Sequence, residues 1–124
     1  MQNKGMHLAW ISTTDFDEAV KFYSETLGMT LLERTDEYKW AELRGSDGAM
    51  LGIHGPDGDC PLKPGHNAIL TFSVDDIEKE FEKLKSDGVE VIGDIQEVPG
   101  HVKLLLFKDP SGNMAQLVQV LNGK

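Results

Sequence analysis

The apolar and polar residues of this chain follow a pattern that occurs twice. The segments TTDFDEAVKFYSETLGMTL and SVDDIEKEFEKLKSDGVEV align with each other, and each predicts the end of a strand, an acidic cap, an amphipathic helix, a glycine and a further strand. The apolar positions at helical spacing are Phe16, Ala19, Val20, Tyr23 and Leu27 in the first segment and Ile77, Phe81 and Leu84 in the second. The pattern therefore predicts one structural unit used twice.

Each predicted helix begins at an acidic residue and ends at a glycine. Asp15 and Asp75 are the predicted caps, because a glutamate follows each of them three residues later, as in a capping box. Gly28 and Gly88 are the predicted stops, because glycine readily adopts the left-handed conformation that ends a helix. The two helices are thus predicted to occupy equivalent places in the two units.

Short extended runs surround the predicted helices. The predicted strands cover residues 6–12, 29–33, 38–44 and 50–54 in the first half, and 67–74, 89–92, 102–107 and 114–120 in the second. Each half therefore reads βαβββ, and the fold class is α+β. We predict one domain over residues 1–124, with a first module at about 6–56, a linker rich in Gly, Pro and Asp at 55–65, and a second module at about 66–120.

The strands that lead the two modules are apolar on both faces. In the first of them, Leu8 and Trp10 alternate with Ala9 and Ile11. A strand of this kind is typically covered on both sides. We therefore expect one face of each sheet to pack on its helix and the other face to line a cleft.

Composition restricts the functions of such a domain. The formal net charge is −9 and no basic face is apparent, which argues against nucleic-acid binding. No apolar run approaches the roughly 20 residues of a membrane-spanning helix, so we expect no membrane partner. The first residues lack a secretory signal and the single cysteine, Cys60, has no partner for an internal disulfide, so we expect a cytoplasmic protein. The acidic charge favours either a cationic ligand or solubility alone.

Two stretches give the chain a resemblance to a known superfamily. D-F-x-x-A-x-x-F-Y-x-x-x-L-G-M starts at Asp15, and F-x-D-P-S-G-N starts at Phe107. Together with the doubled βαβββ unit they resemble the vicinal oxygen chelate superfamily, which includes glyoxalase, extradiol dioxygenases, fosfomycin-resistance enzymes and bleomycin-binding proteins. The resemblance spans about residues 6–120. It implies an eight-stranded curved sheet around a cavity, and a homodimer in which modules of different subunits complete each cavity.

Metal-dependent members of this superfamily place one ligand, typically His or Glu, on each of four strands. The resemblance puts these positions at Leu8, Gly52, Ile69 and Gln116. Leu, Gly and Ile have no side-chain donor for a divalent ion, and the neutral amide of Gln116 cannot hold an ion alone. We therefore predict no metal and no other cofactor. Gln116 is interpreted either as a hydrogen-bonding group of the cavity wall or as a core amide.

The four histidines are the other candidates for metal or acid–base chemistry. His7 is predicted to point away from the cavity, because neighbouring residues of a strand face opposite sides of the sheet. His66 and His101 are predicted to lie at the surface. His54 comes two residues after Gly52 and shares its face, so it is the histidine that we place in the site.

Aromatic side chains supply further candidate walls. Trp10 lies on the first predicted strand, and Tyr38, Trp40 and Glu42 share one face of the third. The pattern does not decide whether this face or the opposite one lines the cavity. If the face with Tyr38, Trp40 and Glu42 lines the cavity, its aromatic rings and carboxylate suit a flat or cationic organic ligand. The alternative is that these rings belong to ordinary aromatic core packing. The predicted ligand-binding residues are Trp10, Trp40, Glu42, His54 and Gln116.

Three functions follow from these residues and from the resemblance. The first is a metal-independent protein of the glyoxalase and bleomycin resistance type that binds a small organic ligand, aromatic or cationic. The second is a glyoxalase-like lyase or dioxygenase that uses a divalent metal at an atypical site, for which His54, Glu42 and Gln116 would have to converge. The third is a metal-independent enzyme in which His54 or Glu42 is a general base. We predict the first, and leave open whether the chain is an enzyme.

Overall fold

Two four-stranded sheets, each with a helix packed on one face, make up the structure of this chain. It is a computed structural model in which residues 1–2, 4, 7–56, 63–65 and 67–121 are described. The chain divides into two units, Met1–His66 and Asn67–Lys124. Within the described ranges, no helix has the length and apolar character needed to cross a membrane.

The first unit is a βαβββ arrangement. Its elements are β1 (Leu8–Ser12), α1 (Phe16–Lys21), β2 (Thr30–Thr35), β3 (Trp40–Arg44) and β4 (Met50–His54). The strand order in the sheet is β1-β4-β3-β2, with β1 parallel to β4 and the other neighbours antiparallel. The parallel pair is formed because α1 and two strands separate β1 from β4 along the chain.

The second unit repeats this topology. Its elements are β5 (Leu70–Ser73), α2 (Ile77–Ser86), β6 (Glu90–Val98), β7 (Val102–Lys108) and β8 (Met114–Val120). The strand order is β5-β8-β7-β6, with β5 parallel to β8 and the rest antiparallel. The predicted α+β class and the doubled βαβββ unit are therefore confirmed.

One face of each sheet is buried under its helix. In the first unit the buried side chains are Ile11, Phe16, Ala19, Val20, Phe22, Tyr23, Ala41, Leu43, Leu51 and Ile53. In the second unit they are Ile77, Leu84, Leu105, Phe107, Ala115 and Leu117. Strand residues in these sets alternate with residues on the opposite face, as the pleat of a strand requires.

The opposite face of each sheet is not covered by its own unit. We call the set Trp10, Trp40, Glu42, Gly52 and His54 the first open face, and the set Thr71, Leu104, Leu106, Gln116 and Val118 the second open face. Except for the small Gly52, their members are partly or largely exposed. We expected both faces of the leading strands to be covered. Within each unit, only the face that packs on the helix is covered.

The start of α1 is as predicted, but its end differs. The Asp15 carboxylate accepts a hydrogen bond from the Glu18 backbone N–H at 3.0 Å, which caps the helix. The predicted single α-helix gives way after Lys21 to a π-helical turn, Phe22–Thr26. Gly28 follows with a φ of 73°, the left-handed conformation expected of a helix stop.

The predicted cap of α2 is wrong by one residue. The Asp76 carboxylate, not that of Asp75, accepts the hydrogen bond from the Lys79 backbone N–H, at 3.1 Å. Asp76 has the extended backbone of a cap, with φ −139°, and the next residue, Ile77, is fully buried. Gln119 of β8 gives further support, because its Oε1 accepts from the Ile77 backbone N–H at 2.8 Å. With this correction both capping residues stand in the same relation to their leading strands.

Replacing Asp76 by alanine is expected to lower the free energy of unfolding by about 1 kcal/mol, because the Lys79 N–H loses its acceptor at the helix N-terminus. Asp75→Ala is the matched control, since it removes the neighbouring carboxylate and keeps the cap; its effect should stay within about 0.5 kcal/mol. Urea denaturation followed by far-UV circular dichroism measures both. A larger loss in the Asp75 variant would contradict this cap.

The strands at the outer edges depart most from prediction. β6 runs to Val98 rather than to residue 92, and it continues through an irregularity between Ile92 and Gln96 where Gly93 has a φ of 72°. β2 contains a similar register shift between Leu31 and Glu33. Such bulges insert residues that have no partner across the ladder. β3 begins at Trp40, so Tyr38 lies in the preceding turn and is 60% exposed, contrary to its predicted place on the strand.

The D-P-S-G-N turn between β7 and β8 is organised by one carboxylate. Asp109 is 5% exposed, and its Oδ1 accepts from the backbone N–H groups of Ser111 and Asn113, both at 2.8 Å. Its Oδ2 accepts from Asn113 Nδ2 at 2.9 Å, and Asn113 is itself 1% exposed. Gly112 has a φ of 88°, which favours glycine at this point. The motif that carries the resemblance therefore builds a turn and fixes the start of β8.

Candidate functional site

Three aromatic rings lie against one another on the first open face. Trp10 and Trp40 have ring centroids 6.3 Å apart, and His54 lies 5.8 Å from Trp10 and 6.4 Å from Trp40. The sheet register produces this arrangement. Trp40 of β3 pairs with His54 of β4, and Trp10 of β1 pairs with Gly52, two residues before His54 on the same face of β4. The structure thus brings together three of the five predicted site residues, which come from three different strands.

A carboxylate adjoins these rings. Trp40 Nε1 donates a hydrogen bond to Glu42 Oε2 at 2.9 Å, between residues two apart on the same face of β3. This bond fixes the rotation of the indole and places one negative charge at the edge of the rings. We call Trp10, Trp40, Glu42 and His54 the aromatic cluster. Trp10 remains 38% exposed, so the cluster is accessible from solvent within this unit.

His54 contributes a polar atom that has no partner. Within the described part of the chain, its Nδ1 is buried and forms no hydrogen bond. A buried polar atom without a partner costs free energy, about 1–3 kcal/mol in typical cases. The backbone of the same residue is well satisfied, because its carbonyl accepts from the backbone N–H and the hydroxyl of Thr13. The strand is therefore held firmly while the imidazole keeps unused hydrogen-bonding capacity.

Gln116 lies in the other unit, on the second open face. Its Nε2 donates to Thr71 Oγ1 at 3.1 Å, across the parallel pair of β5 and β8. The Thr71 hydroxyl in turn donates to the carbonyl of Ile69 at 3.3 Å. The side chains beside it are apolar, with Leu106 as its direct neighbour on β7. Gln116 is thus a partly exposed amide held by a threonine, and the sequence pattern did not identify this partner.

The positions at which the superfamily places metal ligands do not fit a divalent ion. Leu8 and Gly52 in the first unit and Ile69 in the second provide no side-chain donor, and Gln116 provides a neutral amide that is already bonded to Thr71. Within the described ranges, no three His, Cys, Asp or Glu side chains group in a way that would hold a metal.

Gly52 has a close contact that the sequence analysis missed. A Cβ built at this position would lie 2.5 Å from Cη2 of Trp40 and 2.9 Å from Cβ of Trp10. The six-membered ring of Trp40 therefore lies directly over the backbone of β4. A signal for this was present, because an isolated glycine inside a strand commonly marks a close approach of another group.

The remaining histidines are placed as follows. His7 and His101 are exposed, and His101 lies in the turn between β6 and β7, as predicted. His66 and Cys60 lie outside the described residues. Among the described residues, neither His7 nor His101 has a ring contact with the aromatic cluster.

A separate cleft of about 500 Å³ lies elsewhere on the first unit, lined by Thr14, Asp15, Phe16, Asp17, Arg34, Asp36, Lys39 and Pro56. None of the predicted site residues lines it. Arg34 lies 4.9 Å above the Phe16 ring, and its guanidinium donates to the carboxylates of Asp36 and Asp17. The hydrogen bond with Asp36 is the main cause that raises the pKa of Arg34. Since Arg34 is bound to two carboxylates, we assign it a structural role between α1 and β2.

Comparison with known proteins agrees with this architecture. The family model of the Glyoxalase/Bleomycin resistance protein/Dioxygenase superfamily matches residues 5–117. The chain belongs to this superfamily. The resemblance inferred from the two motifs is thereby confirmed, and the superfamily accounts for the doubled βαβββ unit.

Relatives within the superfamily have several names. A protein named "Probable lactoylglutathione lyase" from Vibrio parahaemolyticus is 35% identical over 118 residues, covering 85% of this chain and 83% of that protein. "Uncharacterized protein YurT" from Bacillus subtilis is 31% identical over 121 residues, covering 88% and 94%. The crystal structure of a superfamily member from Sphaerobacter thermophilus has a TM-score of 0.81 at 22% identity, covering 96% and 99%. At that identity the structural likeness shows the fold.

Proposed function

We propose that this chain is a metal-independent small-molecule binding protein of the glyoxalase and bleomycin resistance type, with an aromatic or cationic organic ligand. The aromatic cluster on the first open face is the observation that carries this proposal. It combines two partly accessible indoles, a half-buried imidazole and one carboxylate. Surfaces of this composition hold flat organic molecules through stacking and orient them through a few polar groups.

The charge of the cluster favours a cation among such ligands. Glu42 supplies a negative charge next to the electron-rich faces of Trp10 and Trp40, and both features attract a positive ring. The net charge of −9 acts in the same direction at longer range. An anionic aromatic molecule would meet repulsion from each of these sources. We therefore propose that cationic aromatic molecules bind more tightly than anionic ones of equal size.

Gln116 and the assembly of the protein complete the proposal. We propose that Gln116, oriented by Thr71, is a second hydrogen-bonding group for ligand on its own open face. We also propose a cytoplasmic location, as expected from the sequence. We propose a homodimer as well, because large apolar side chains are exposed in the second unit, among them Ile69 at 47% and Val98 at 45%. Exposed apolar surface of this kind marks interaction surfaces.

A second candidate function is a glyoxalase-like lyase. The 35% identity to a protein named "Probable lactoylglutathione lyase" favours it. A metal-dependent reaction would need an atypical site, since Leu8, Gly52 and Ile69 lack donors and His54 and Glu42 are the nearest alternatives in the first unit. Incubation with nickel, zinc or manganese, followed by desalting and metal analysis, separates the two candidates. Stoichiometric uptake that is lost in His54→Ala would favour the lyase.

Binding of the proposed ligand class is tested with three planar probes of similar size. Acridine orange is the cation, anthracene-9-carboxylate the anion and 9-anthracenemethanol the neutral molecule. We expect saturable quenching of tryptophan fluorescence by acridine orange, and weaker quenching by the anion. Glu42→Gln should lower the affinity for acridine orange about fivefold, equivalent to about 1 kcal/mol, and leave that for 9-anthracenemethanol unchanged.

The controls separate charge from shape. Glu25→Gln removes an exposed carboxylate from the helical segment on the opposite face of the same sheet and should leave all three affinities unchanged. Absence of saturable quenching by every probe would contradict the proposed function. Equal affinities for the cation and the anion would contradict the role of Glu42.

A further inference from the structure

We propose that Gly52 is the positioning residue of Trp40, and that Trp40 occupies the space which any side chain at position 52 would need. The aromatic cluster and a metal donor at this position are therefore mutually exclusive in this chain. Trp40 becomes the residue that determines which class of ligand the first open face accepts. The part of this inference that concerns ligands rests on the proposed function, whereas the steric part does not.

The steric argument follows from distances. A Cβ at position 52 would lie 2.5 Å from Cη2 and 2.8 Å from Cζ2 of Trp40, and 2.9 Å from Cβ of Trp10. Contacts below 3.0 Å are essentially never observed for a real Cβ, so a neighbour has to move. The Cβ of Trp10 is fixed by the backbone of β1, which pairs with β4 at this point. The indole of Trp40 is therefore the group that is displaced.

Displacement of this indole removes other contacts. Its Nε1 is bonded to Glu42 at 2.9 Å, and its ring lies near those of Trp10 and His54. A ring that swings away from β4 loses the hydrogen bond and both ring contacts together. Substitution of Gly52 thus alters the aromatic cluster without removing any of its four side chains.

The consequence for metal binding concerns more than missing donors. Gly52 is the position at which the resemblance places the second metal ligand, and a His or Glu there would enter the volume of the Trp40 ring. A variant with a donor at position 52 therefore needs a smaller residue at position 40. In this chain the Trp40 ring fills the volume that a donor side chain at position 52 would need, so the two uses of the site cannot coexist.

The first test is a double-mutant cycle read by thermal unfolding. Gly52→Ala is expected to lower the melting temperature by about 5 °C or more, as overpacking by a methyl group does. In the Trp40→Ala background the same substitution should have a smaller effect, because the two nearest atoms are gone and only the 2.9 Å contact with Cβ of Trp10 remains. Gly45→Ala is the matched control, since its Cβ would meet its nearest atom at an ordinary 3.5 Å. Equal effects of Gly52→Ala in both backgrounds would overturn the inference.

The second test observes the indole directly. The chain has two tryptophans, so Trp10→Phe leaves Trp40 as the single reporter. Adding Gly52→Ala, or Gly52→His as the donor variant, should raise acrylamide quenching of this reporter and change its near-UV circular dichroism. A merely structural glycine would lower stability and leave both signals of the folded protein unchanged. Unchanged quenching in the folded Gly52→His variant would overturn the inference.

The third test connects the pair with ligand. Gly52→Ala should weaken acridine orange binding to the level of Trp40→Ala, although it removes no group that contacts ligand. If the wild-type protein binds no probe, the proposed function fails while the first two tests still decide the steric inference. If the wild-type protein binds and Gly52→Ala binds equally well, the inference fails and the proposed function stands.

Discussion

Asp109→Ala is expected to lower the free energy of unfolding by about 3 kcal/mol, the largest stability effect that we predict. Three N–H donors lose their acceptor at once: the backbone groups of Ser111 and Asn113 and the side-chain amide of Asn113. Asp109 and Asn113 are almost fully buried, so water does not readily replace the lost carboxylate. Urea denaturation followed by circular dichroism measures the change.

The matched control for this prediction is Asp109→Asn. Its side chain has nearly the same shape and keeps one oxygen as an acceptor, so about half of the loss should be recovered. Pro110→Ala changes an exposed residue of the same turn and should cost far less than Asp109→Ala. Equal stability of the Ala and Asn variants would show that the hydrogen bonds to the oxygen retained in Asn contribute nothing, and would contradict our account of the D-P-S-G-N motif.

Trp40→Ala is expected to weaken acridine orange binding about 30-fold, which corresponds to about 2 kcal/mol. The substitution removes a large stacking surface and also frees Glu42 from its hydrogen bond with the indole. Trp40→Phe keeps an aromatic face and loses the N–H donor, so its affinity should fall between those of the wild type and the alanine variant. Fluorescence anisotropy of the dye measures all three without relying on the protein's own tryptophans.

Tyr38→Ala is the matched control, because Tyr38 is an aromatic residue just before β3 that lies in a turn, is 60% exposed and lies outside the aromatic cluster. Its affinity should stay within about twofold of the wild type, since peripheral contacts contribute little. Circular dichroism confirms that each variant is folded before its affinity is compared. A loss in Tyr38→Ala as large as in Trp40→Ala would show that the dye binds outside the aromatic cluster.

The two helix caps show what can be predicted from residue pattern alone. Asp15 with Glu18 predicts a capping box, and Asp15 is the cap. The same pattern selected Asp75 because Glu78 follows it three residues later, yet Asp76 is the cap. Two adjacent aspartates are chemically alike, and the choice depends on which backbone is extended and where Ile77 enters the core. That choice is made by tertiary packing, which outweighs a local pattern.

The bounds of some strands and the π-helical turn also differ from the prediction, because tertiary structure decides them. β4 and β8 have the predicted bounds, because turns with strong local signals enclose them. β6 was predicted too short, since Gly93 and Asp94 read as the end of a strand although the strand continues through a bulge. The π-helical turn Phe22–Thr26 left no trace in the spacing of apolar residues. One extra residue in β2 and two in β6 interrupt otherwise regular pairing, and the period of apolar residues does not record such insertions.

The aromatic cluster was predicted as a set of residues but not as an arrangement. Alternation along the strands placed Trp40 and Glu42 on one face, without deciding whether that face was open. The structure puts Ala41 and Leu43 in the core, which leaves Trp40 and Glu42 on the opposite side. The hydrogen bond between them and the contact over Gly52 depend on side-chain rotation, which no one-dimensional pattern contains. The ligand-binding roles of all five predicted site residues, Trp10, Trp40, Glu42, His54 and Gln116, stay predictions.

The bulges in β2 and β6 have a consequence for behaviour at high concentration. Each of these strands forms one of the two edges of its sheet, where unpaired N–H and C=O groups can recruit a strand of another molecule. The register shifts at Leu31/Glu33 and at Ile92/Gln96 interrupt the regular ladder that such recruitment copies. The interruptions in β2 and β6 therefore make these two edges poorer templates for fibril growth than regular strands would be.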